Sequence, residues 1–268
     1  IASLVLTFCV AAVIIGGVKR IASVSQVVVP FMAAAYIIAA VVILILNYKA
    51  IPGAVVEIVQ SAFGMRAVAG GALGAMMLAM QKGIARGIFS NEAGIGSAPI
   101  AAAAVQTTEP VRQGLVSMLG TVIDTIIICT MTGLSIVITG SWDKGLEGVA
   151  VTTRAFQVGL PFPAKVSAFI LMLCLVFFAF TTILGWDYYS ERCLDYLTGN
   201  NKKVVRAYRW IYIACVFIGP YMTVSAVWTI ADIFNGLMAI PNMIALFALS
   251  GVIVKETKAF FAAEKHKM

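Results

Sequence analysis

Charged side chains are scarce in this chain. Aspartate, glutamate, lysine and arginine make up 12% of its 268 residues and hydrophobic residues make up 61%, whereas a typical soluble domain has about 25% charged residues. Residues 21–48 contain no charged side chain at all, and a helix of about 20 apolar residues is long enough to cross the hydrocarbon core of a bilayer. The composition therefore predicts an all-α integral membrane protein rather than a soluble domain.

Histidine and paired cysteines are also scarce. The single histidine is His266, in the polar tail, and the five cysteines are scattered without a Cys-x-x-Cys pair. Zinc sites and disulfide frameworks are recognised by such spacings, so neither is predicted. A Ser–His pair within the membrane is excluded for lack of a histidine there. We expect no metal centre, no organic cofactor and no enzymatic activity.

Positive charge exceeds negative charge, with a formal net charge of +7. The basic residues stand mainly at the ends of apolar segments and form no basic face with interleaved aromatics, which argues against a nucleic-acid partner. The positive-inside rule places Lys19–Arg20, Lys202–Lys203 and the tail 255–268 in the cytoplasm. These segments share one side only if an even number of spans separates each from the next. Seven spans of the cell membrane meet this condition, if the last apolar region is one helix interrupted at Asn235–Gly236 or Pro241–Asn242.

The stretch GIFSNEAGIGSAP, residues 87–99, interrupts an apolar region with glycines and polar residues. In a bilayer, freed backbone groups are tolerated only where protein or a water-lined cavity satisfies them, so a broken helix here indicates a binding site. Ser97 is a candidate N-cap of a second half-helix, and Pro99 fits its first turn. The positive end of that helix would face an anion, and freed carbonyls would bind a cation. The alternative is a re-entrant loop or a packed kink.

Acidic residues lie within or beside the apolar spans. Glu92 falls in the break and Asp124 in a later span, and intramembrane acids are functional candidates by default. Each also has a structural interpretation: Glu92 pairs with Lys82 or Arg86, and Asp124 forms a hydrogen bond to a neighbouring helix, with Thr121, Thr125 or a backbone group as partner. We predict both as structural or coupling acids. Asp232 is predicted to pack helices or to gate, with a substrate contact as the alternative.

Adjacent hydroxyl groups occur in the segment FAFTTILGW. Thr181 and Thr182 are candidate oxygen ligands for a small hard cation such as sodium, although threonine in a helix often bonds to its own backbone. Trp186 either contributes to a binding site or anchors the helix at the membrane interface. Phe89, in the break, is either a site residue or ordinary packing.

Four blocks of this sequence resemble the alanine or glycine:cation symporter family, also called sodium:alanine symporters. The blocks are RGIFSNEAGIGSAPIAAAAVQT, QGLVSMLGTVIDTIIICTMTG, FAFTTILGWDYYSERC and ADIFNGLMAIPNMIALFALSGVIVKETK. The resemblance extends over nearly the whole chain, from the GGVKRI turn to the basic tail.

The resemblance implies a leucine-transporter-type fold with two inverted five-helix repeats. Because the chain starts without methionine in an apolar segment, we expect a C-terminal fragment that contains core helices four to ten. Residues 1–48 would end the first repeat, 67–254 would form the second repeat with its broken helix at 87–99, and 255–268 would be a cytoplasmic tail. The first core helix, which carries the facing half of the site in the family, would precede this chain.

The resemblance also implies a function: import of alanine or glycine together with sodium, by alternating access. The residues implied in amino-acid binding are Phe89, Ser90, Asn91, Gly94, Gly96 and Trp186. Phe89 and Trp186 would close a small apolar pocket, and Thr181 and Thr182 would contribute to a sodium site. Sodium is then a co-transported ion, not a cofactor. The alternatives are a proton-coupled transporter of the same fold, with Glu92 or Asp124 titrating, and a passive channel.

Overall fold

The computed structural model describes residues 2–63 and 71–265, and the regular structure in these two ranges is entirely helical. The α-helices are, in chain order, α1 (Ala2–Ile14), α2 (Val18–Leu46), α3 (Ile51–Ala62), α4 (Gly71–Asn91), α5 (Ala98–Ala102), α6 (Pro110–Thr121), α7 (Thr130–Ile138), α8 (Val149–Gly159), α9 (Ala164–Leu197), α10 (Lys202–Ile218) and α11 (Val224–Lys265). A π-helical segment, Val122–Cys129, joins α6 to α7. The predicted all-α class is confirmed. Residues 67–70 of the predicted second repeat and 266–268 of the predicted tail, with His266, lie outside the described residues.

Within residues 2–63 and 71–265, four helical stretches are long and apolar enough to cross a membrane. They are Arg20–Leu46, Pro110–Ile138, Ala164–Leu197 and Val224–Ala263. Helix α1 is apolar but has only 13 residues, and α10 has 17, whereas a straight span needs about 20. These lengths and compositions support a multi-pass membrane protein. The count of seven spans stays a prediction.

The predicted interruption of the last apolar region is wrong. Helix α11 runs without a break from Val224 to Lys265, with Pro241 inside it. A membrane helix tolerates proline because neighbouring groups and small local adjustments satisfy the freed carbonyl. The helix also continues beyond residue 254, into the segment predicted as a tail.

The chain divides into two compact units, each built from two separate stretches. The first unit comprises Ile1–Ile58 and Met131–Ala226, and the second comprises Val59–Thr130 and Val227–Met268. Several helices cross a boundary between the units, among them α3 and α11.

In the first unit, α1, α2, α9 and α10 share an apolar core. Its buried members are Val10, Val13, Ile14, Ile21 and Leu184. A second packing centre is Tyr36 of α2, whose ring lies 5.5 Å from that of Phe156 and 5.8 Å from that of Phe178. Its hydroxyl lies 2.6 Å from the hydroxyl of Thr132. Apolar burial and aromatic packing thus hold α9, which carries Thr181, Thr182 and Trp186, against α2.

In the second unit, α4 ends at the residues that the sequence singles out. Helix α4 stops at Asn91 and α5 begins at Ala98, so six residues of the predicted 87–99 break connect the two helices. The π-helical segment packs against α4. Helix α11 also reaches this region, because Asn242 and Asp232 both bond to it.

Candidate functional site

The connection between α4 and α5 is a turn in the left-handed region of backbone space. Glu92, Gly94 and Gly96 have φ angles of 53°, 77° and 84°. Glycine adopts such angles without steric cost, whereas for glutamate they are uncommon and unfavourable. The Glu92 side chain compensates locally, since its carboxylate accepts a 2.7 Å hydrogen bond from the Ser97 hydroxyl. This bond ties the first residue of the turn to the last.

Three expectations for this turn need correction. Ser97 precedes α5, but its hydroxyl donates to Glu92 and makes no capping bond to the helix backbone. Helix α5 has only five residues, too few peptide units to align into a substantial dipole toward an anion. The predicted pairing of Glu92 with Arg86 is also wrong, because Arg86 binds Asp232 and Glu92 is turned onto Ser97.

The last turn of α4 is fastened to the π-helical segment. The hydroxyl of Ser90 donates to the Asp124 carboxylate at 2.6 Å, and the hydroxyl of Thr125 donates to the side-chain oxygen of Asn91 at 2.8 Å. Two predicted site residues and one predicted acid therefore come together. The expected hydrogen bond between Asp124 and a neighbouring helix is present, but its partner is Ser90 rather than Thr121 or Thr125. π-Helical turns are rare and occur frequently at functional sites.

Helix α4 also presents an aromatic and cationic cluster to α11. The Arg86 guanidinium forms an ion pair with Asp232 and lies 4.1 Å from the ring centre of Trp228. Phe89 packs edge-on against Trp228, with ring centres 5.1 Å apart. Stacking on an aromatic face adds a cation–π attraction to the ion pair. The ion pair joins α11 to α4, as the helix-packing interpretation of Asp232 requires; a role in gating or substrate contact stays a prediction.

Asn242 of α11 closes the other side of the turn. Its side-chain amide donates to the Gly94 carbonyl at 3.0 Å, so this freed carbonyl is satisfied by protein. A Cβ atom on Gly96 would lie 3.2 Å from three atoms of the Asn242 side chain. The two glycines therefore serve different needs: both allow a positive φ, but only Gly96 also allows the close approach of α11.

The remaining predicted site residues lie on α9, in the first unit. The Thr181 hydroxyl donates to the carbonyls of Phe177 and Phe178, at 3.0 and 3.1 Å, which is the backbone bonding common for threonine in helices. Thr182 is exposed. Trp186 is half-buried and packs edge-on against Tyr189, with ring centres 5.7 Å apart. The proposed pocket residues Phe89 and Trp186 thus belong to different units, and each contacts an aromatic ring of its own unit.

A family model described as "Sodium:alanine symporter family" matches residues 1–268. The chain belongs to this family. The prediction made from the four sequence blocks is confirmed. Thus the left-handed turn, the π-helical segment and the paired threonines are features of a sodium:alanine symporter family chain.

Relatives of this chain have names that give different substrates. The chain is 53% identical over 263 residues to an uncharacterized transporter of Haemophilus influenzae, and 46% identical over 271 residues to the sodium/alanine symporter AgcS of Methanococcus maripaludis. It is 40% identical over 254 residues to the probable sodium/glutamine symporter GlnT of Bacillus subtilis. These alignments cover 97%, 100% and 94% of the chain but only 57%, 58% and 52% of the relatives. The chain thus spans little more than half the length of these symporter-family proteins.

Some features of this symporter-family chain were not identified from sequence. Glu191 of α9 is 1% exposed and forms a two-bond ion pair with Arg209 of α10. Asp187, one helical turn earlier, is fully buried. The signal in the sequence was an acid pair four residues apart, which places both carboxylates on one helix face. The π-helical segment has no such signal, because its residues read as an ordinary apolar helix.

We expect Ser90→Ala to lower the free energy of unfolding by about 1–2 kcal/mol, because it removes a hydrogen bond to the Asp124 carboxylate. Thermal unfolding of the detergent-solubilised full-length protein measures this. Ser117→Ala is the matched control, since Ser117 only accepts a long 3.3 Å bond from Gln113 on an exposed face of α6. Equal melting temperatures for the two variants would show that the Ser90–Asp124 contact does not stabilise the fold.

Proposed function

We propose that this chain is part of a secondary transporter that imports a small neutral amino acid, alanine or glycine, together with sodium. The proposal rests on one observation: the fastened helix end Ser90–Asn91 and the turn 92–97 occur in a chain of the sodium:alanine symporter family. AgcS, a relative at 46% identity, is a sodium/alanine symporter by name. GlnT, also a relative, is named a probable sodium/glutamine symporter, so glutamine is the competing substrate.

The end of α4 offers hydrogen-bonding groups suited to a zwitterion. The Thr125 hydroxyl donates to the side-chain oxygen of Asn91. This bond orients the Asn91 amide nitrogen, which carries two N–H donors. In our proposal this nitrogen donates to the substrate carboxylate. Backbone N–H groups of the turn, including those of Gly94 and Gly96, add further donors. Phe89 contacts the substrate side chain in this proposal, and a small pocket disfavours one extra methylene by roughly 1–3 kcal/mol. A role in substrate binding is proposed separately for Trp186.

In this proposal, sodium binds to oxygen atoms at the Thr181–Thr182 pair and to atoms of a second helix that would face this pair. Thr182 is exposed and Thr181 is bonded to its own backbone, so Thr182 supplies its hydroxyl and Thr181 orients the local helix. Sodium then favours substrate binding by stabilising the occupied site, and linkage requires the reverse effect to be equal. Glu92 and Asp124 are structural in this scheme, since each accepts a serine hydrogen bond.

The proposal includes the leucine-transporter-type fold, alternating access and a cytoplasmic C-terminus. The helix interruption after Asn91 supports such a fold, because transporters of this architecture bind substrate at discontinuous helices. The basic residues of the final segment support the orientation. The proposed division into an end of a first repeat, 1–48, and a second repeat, 67–254, follows from the same fold.

Uptake into proteoliposomes containing the full-length protein tests the function. We expect an inward sodium gradient to drive accumulation of labelled alanine above its external concentration, whereas a potassium gradient does not. Accumulation driven by a proton gradient without sodium would favour the proton-coupled alternative. Equilibration without accumulation would identify a passive channel. Competition by unlabelled glycine and glutamine separates the substrate classes.

Asn91→Ala is expected to raise the KM for alanine about tenfold, which corresponds to about 1.4 kcal/mol of lost binding energy. The measurement is sodium-driven uptake as a function of alanine concentration. Gln157→Ala removes an amide side chain on α8, in the first unit, and should leave KM unchanged. If both variants keep the wild-type KM, Asn91 is not a substrate ligand.

A further inference from the structure

Asp187 of α9 is a buried carboxylate. Its exposed fraction is 0%, and neither of its carboxylate oxygens has a partner within the part of the chain that the structure describes. Buried polar groups are normally hydrogen-bonded, and each exception needs an explanation. An ionised carboxylate without a partner is among the most unfavourable groups to bury.

The neighbours of Asp187 do not supply the missing neutralisation. Glu191 lies one turn away on α9 and adds a second negative charge, while Arg209 of α10 is the positive charge that acts on both carboxylates. Both side-chain bonds of Arg209, however, go to Glu191. The other titratable groups that face Asp187 are the phenols Tyr208 and Tyr212 of α10, and Tyr212 donates its proton to the Ile183 carbonyl at 2.7 Å. The positive charge of one arginine is thus shared by two carboxylates.

We propose that Asp187 is a proton-binding site of this transporter. A proton from water adds to one carboxylate oxygen to give a neutral carboxylic acid, so that the cluster of Asp187, Glu191 and Arg209 has zero net charge. Release returns the proton to water and restores the carboxylate. The site is distinct from the residues proposed for sodium, because Thr181 faces Met32 of α2 whereas Asp187 faces α10.

A proton fits this position better than a metal cation does. Sodium needs several oxygen ligands, and the Glu191 oxygens are already occupied by the Arg209 guanidinium. That guanidinium would also repel a second cation beside it. Among the described residues, no group of three or more His, Cys, Asp or Glu side chains could hold a metal ion. A proton needs only one carboxylate oxygen.

The inference deepens the proposed function and rests on it in one respect. Helix α9 carries both Asp187 and the threonines proposed to bind sodium. If the helix takes part in transport, sodium-driven uptake depends on the protonation of Asp187. The occupancy of the site can be measured without any transport, so failure of the two proposals can be told apart.

Infrared spectroscopy of the reconstituted full-length protein tests the occupancy. We expect the C=O stretching band of a protonated carboxylic acid at neutral pH, lost in Asp187→Asn and kept in Asp143→Asn. Asp143 is a matched control, because it is an exposed carboxylate beside Lys144. A wild-type spectrum without this band at neutral pH, or a band that survives in Asp187→Asn, would overturn the proposal.

Thermal unfolding as a function of pH is the second measurement. Burial penalises the ionised form, so the wild-type melting temperature should fall as the pH rises from the ordinary titration range of a carboxyl group, about 4, toward the pH at which the infrared band disappears, and should level off above it. Asp187→Asn is neutral at every pH and should lack this decrease, whereas Asp143→Asn should retain it. The same contrast is expected for the pH dependence of sodium-driven uptake. An Asp187→Asn protein with the wild-type pH profile in both assays would contradict the site.

Discussion

Replacing Arg209 by methionine is expected to lower the free energy of unfolding by about 3–5 kcal/mol. Methionine retains an unbranched side chain but removes the guanidinium that binds Glu191 through two hydrogen bonds. Glu191 is 1% exposed, so its carboxylate would stay buried without a partner. Removal of one member of a buried ion pair is costly for this reason, even though the intact pair contributes little to stability.

The matched control for Arg209→Met is Arg192→Met. Arg192 also forms an ion pair, with Asp195 at 2.9 Å, but its side chain is 42% exposed. Pairs in water contribute about 0–1 kcal/mol, so this variant should unfold close to the wild-type temperature. Thermal unfolding of the full-length protein in detergent compares them. If the two variants lose similar amounts of stability, the burial of Glu191 is not the reason why Arg209→Met is destabilising.

The double variant Glu191→Gln, Arg209→Met tests the origin of the loss. Glutamine removes the charge that the single variant leaves unpaired, so we expect the double variant to recover part of the stability. The two residues contact each other, and their effects should therefore be strongly non-additive. Strict additivity would mean that Arg209 stabilises the unit through other contacts.

Gly96→Ala is the second change with a large expected effect. A side chain at a φ of 84° costs roughly 1–2 kcal/mol, and its Cβ would lie 3.2 Å from the Asn242 side chain. Asn242 would have to shift, which strains its hydrogen bond to the Gly94 carbonyl. We expect lower stability and, because the turn carries the proposed substrate donors, sodium-driven alanine uptake reduced at least tenfold.

Two glycine controls separate the causes of that effect. Gly94→Ala places a side chain at an existing positive φ of 77° without a close contact, so it measures the backbone strain alone. Gly87→Ala lies inside α4 with open space around the new methyl group, and alanine is favoured over glycine there by roughly 0.5–1 kcal/mol. The expected order of stability is Gly87→Ala, wild type, Gly94→Ala, Gly96→Ala. A Gly96→Ala protein as stable as Gly94→Ala would exclude the contact with Asn242 as a cause.

Local sequence predicted one helix break and wrongly predicted another. The stretch 87–99 and the Asn235–Gly236 and Pro241–Asn242 pairs all contain residues that disfavour helix. Between α4 and α5, Asn242 of α11 bonds the freed Gly94 carbonyl, and Ser97 bonds the Glu92 side chain. Helix α11 stays continuous instead, and Asn242, predicted as a break point, stabilises the other break. The outcome depends on which partners the tertiary fold provides, and local composition does not contain that information.

The membrane class and the family were both readable in the sequence. Apolar runs, the scarcity of charge and the four blocks that resemble the family require no knowledge of packing, because each is a property of consecutive residues. The positions of Ser90 and Asn91 at the end of α4 follow from the glycines and polar residues after them. Their proposed roles in substrate binding stay predictions, as do those of Thr181, Thr182 and Trp186.

Tertiary structure decided which polar side chains pair. Ser90 and Asp124 are 34 residues apart, Arg86 and Asp232 are 146 apart, and Glu191 and Arg209 are 18 apart. Helical periodicity specifies neighbours three or four residues away and says nothing about these separations. Sequence could therefore identify the acids near apolar segments, but only packing could satisfy Asp124 and Glu191 and leave Asp187 buried alone.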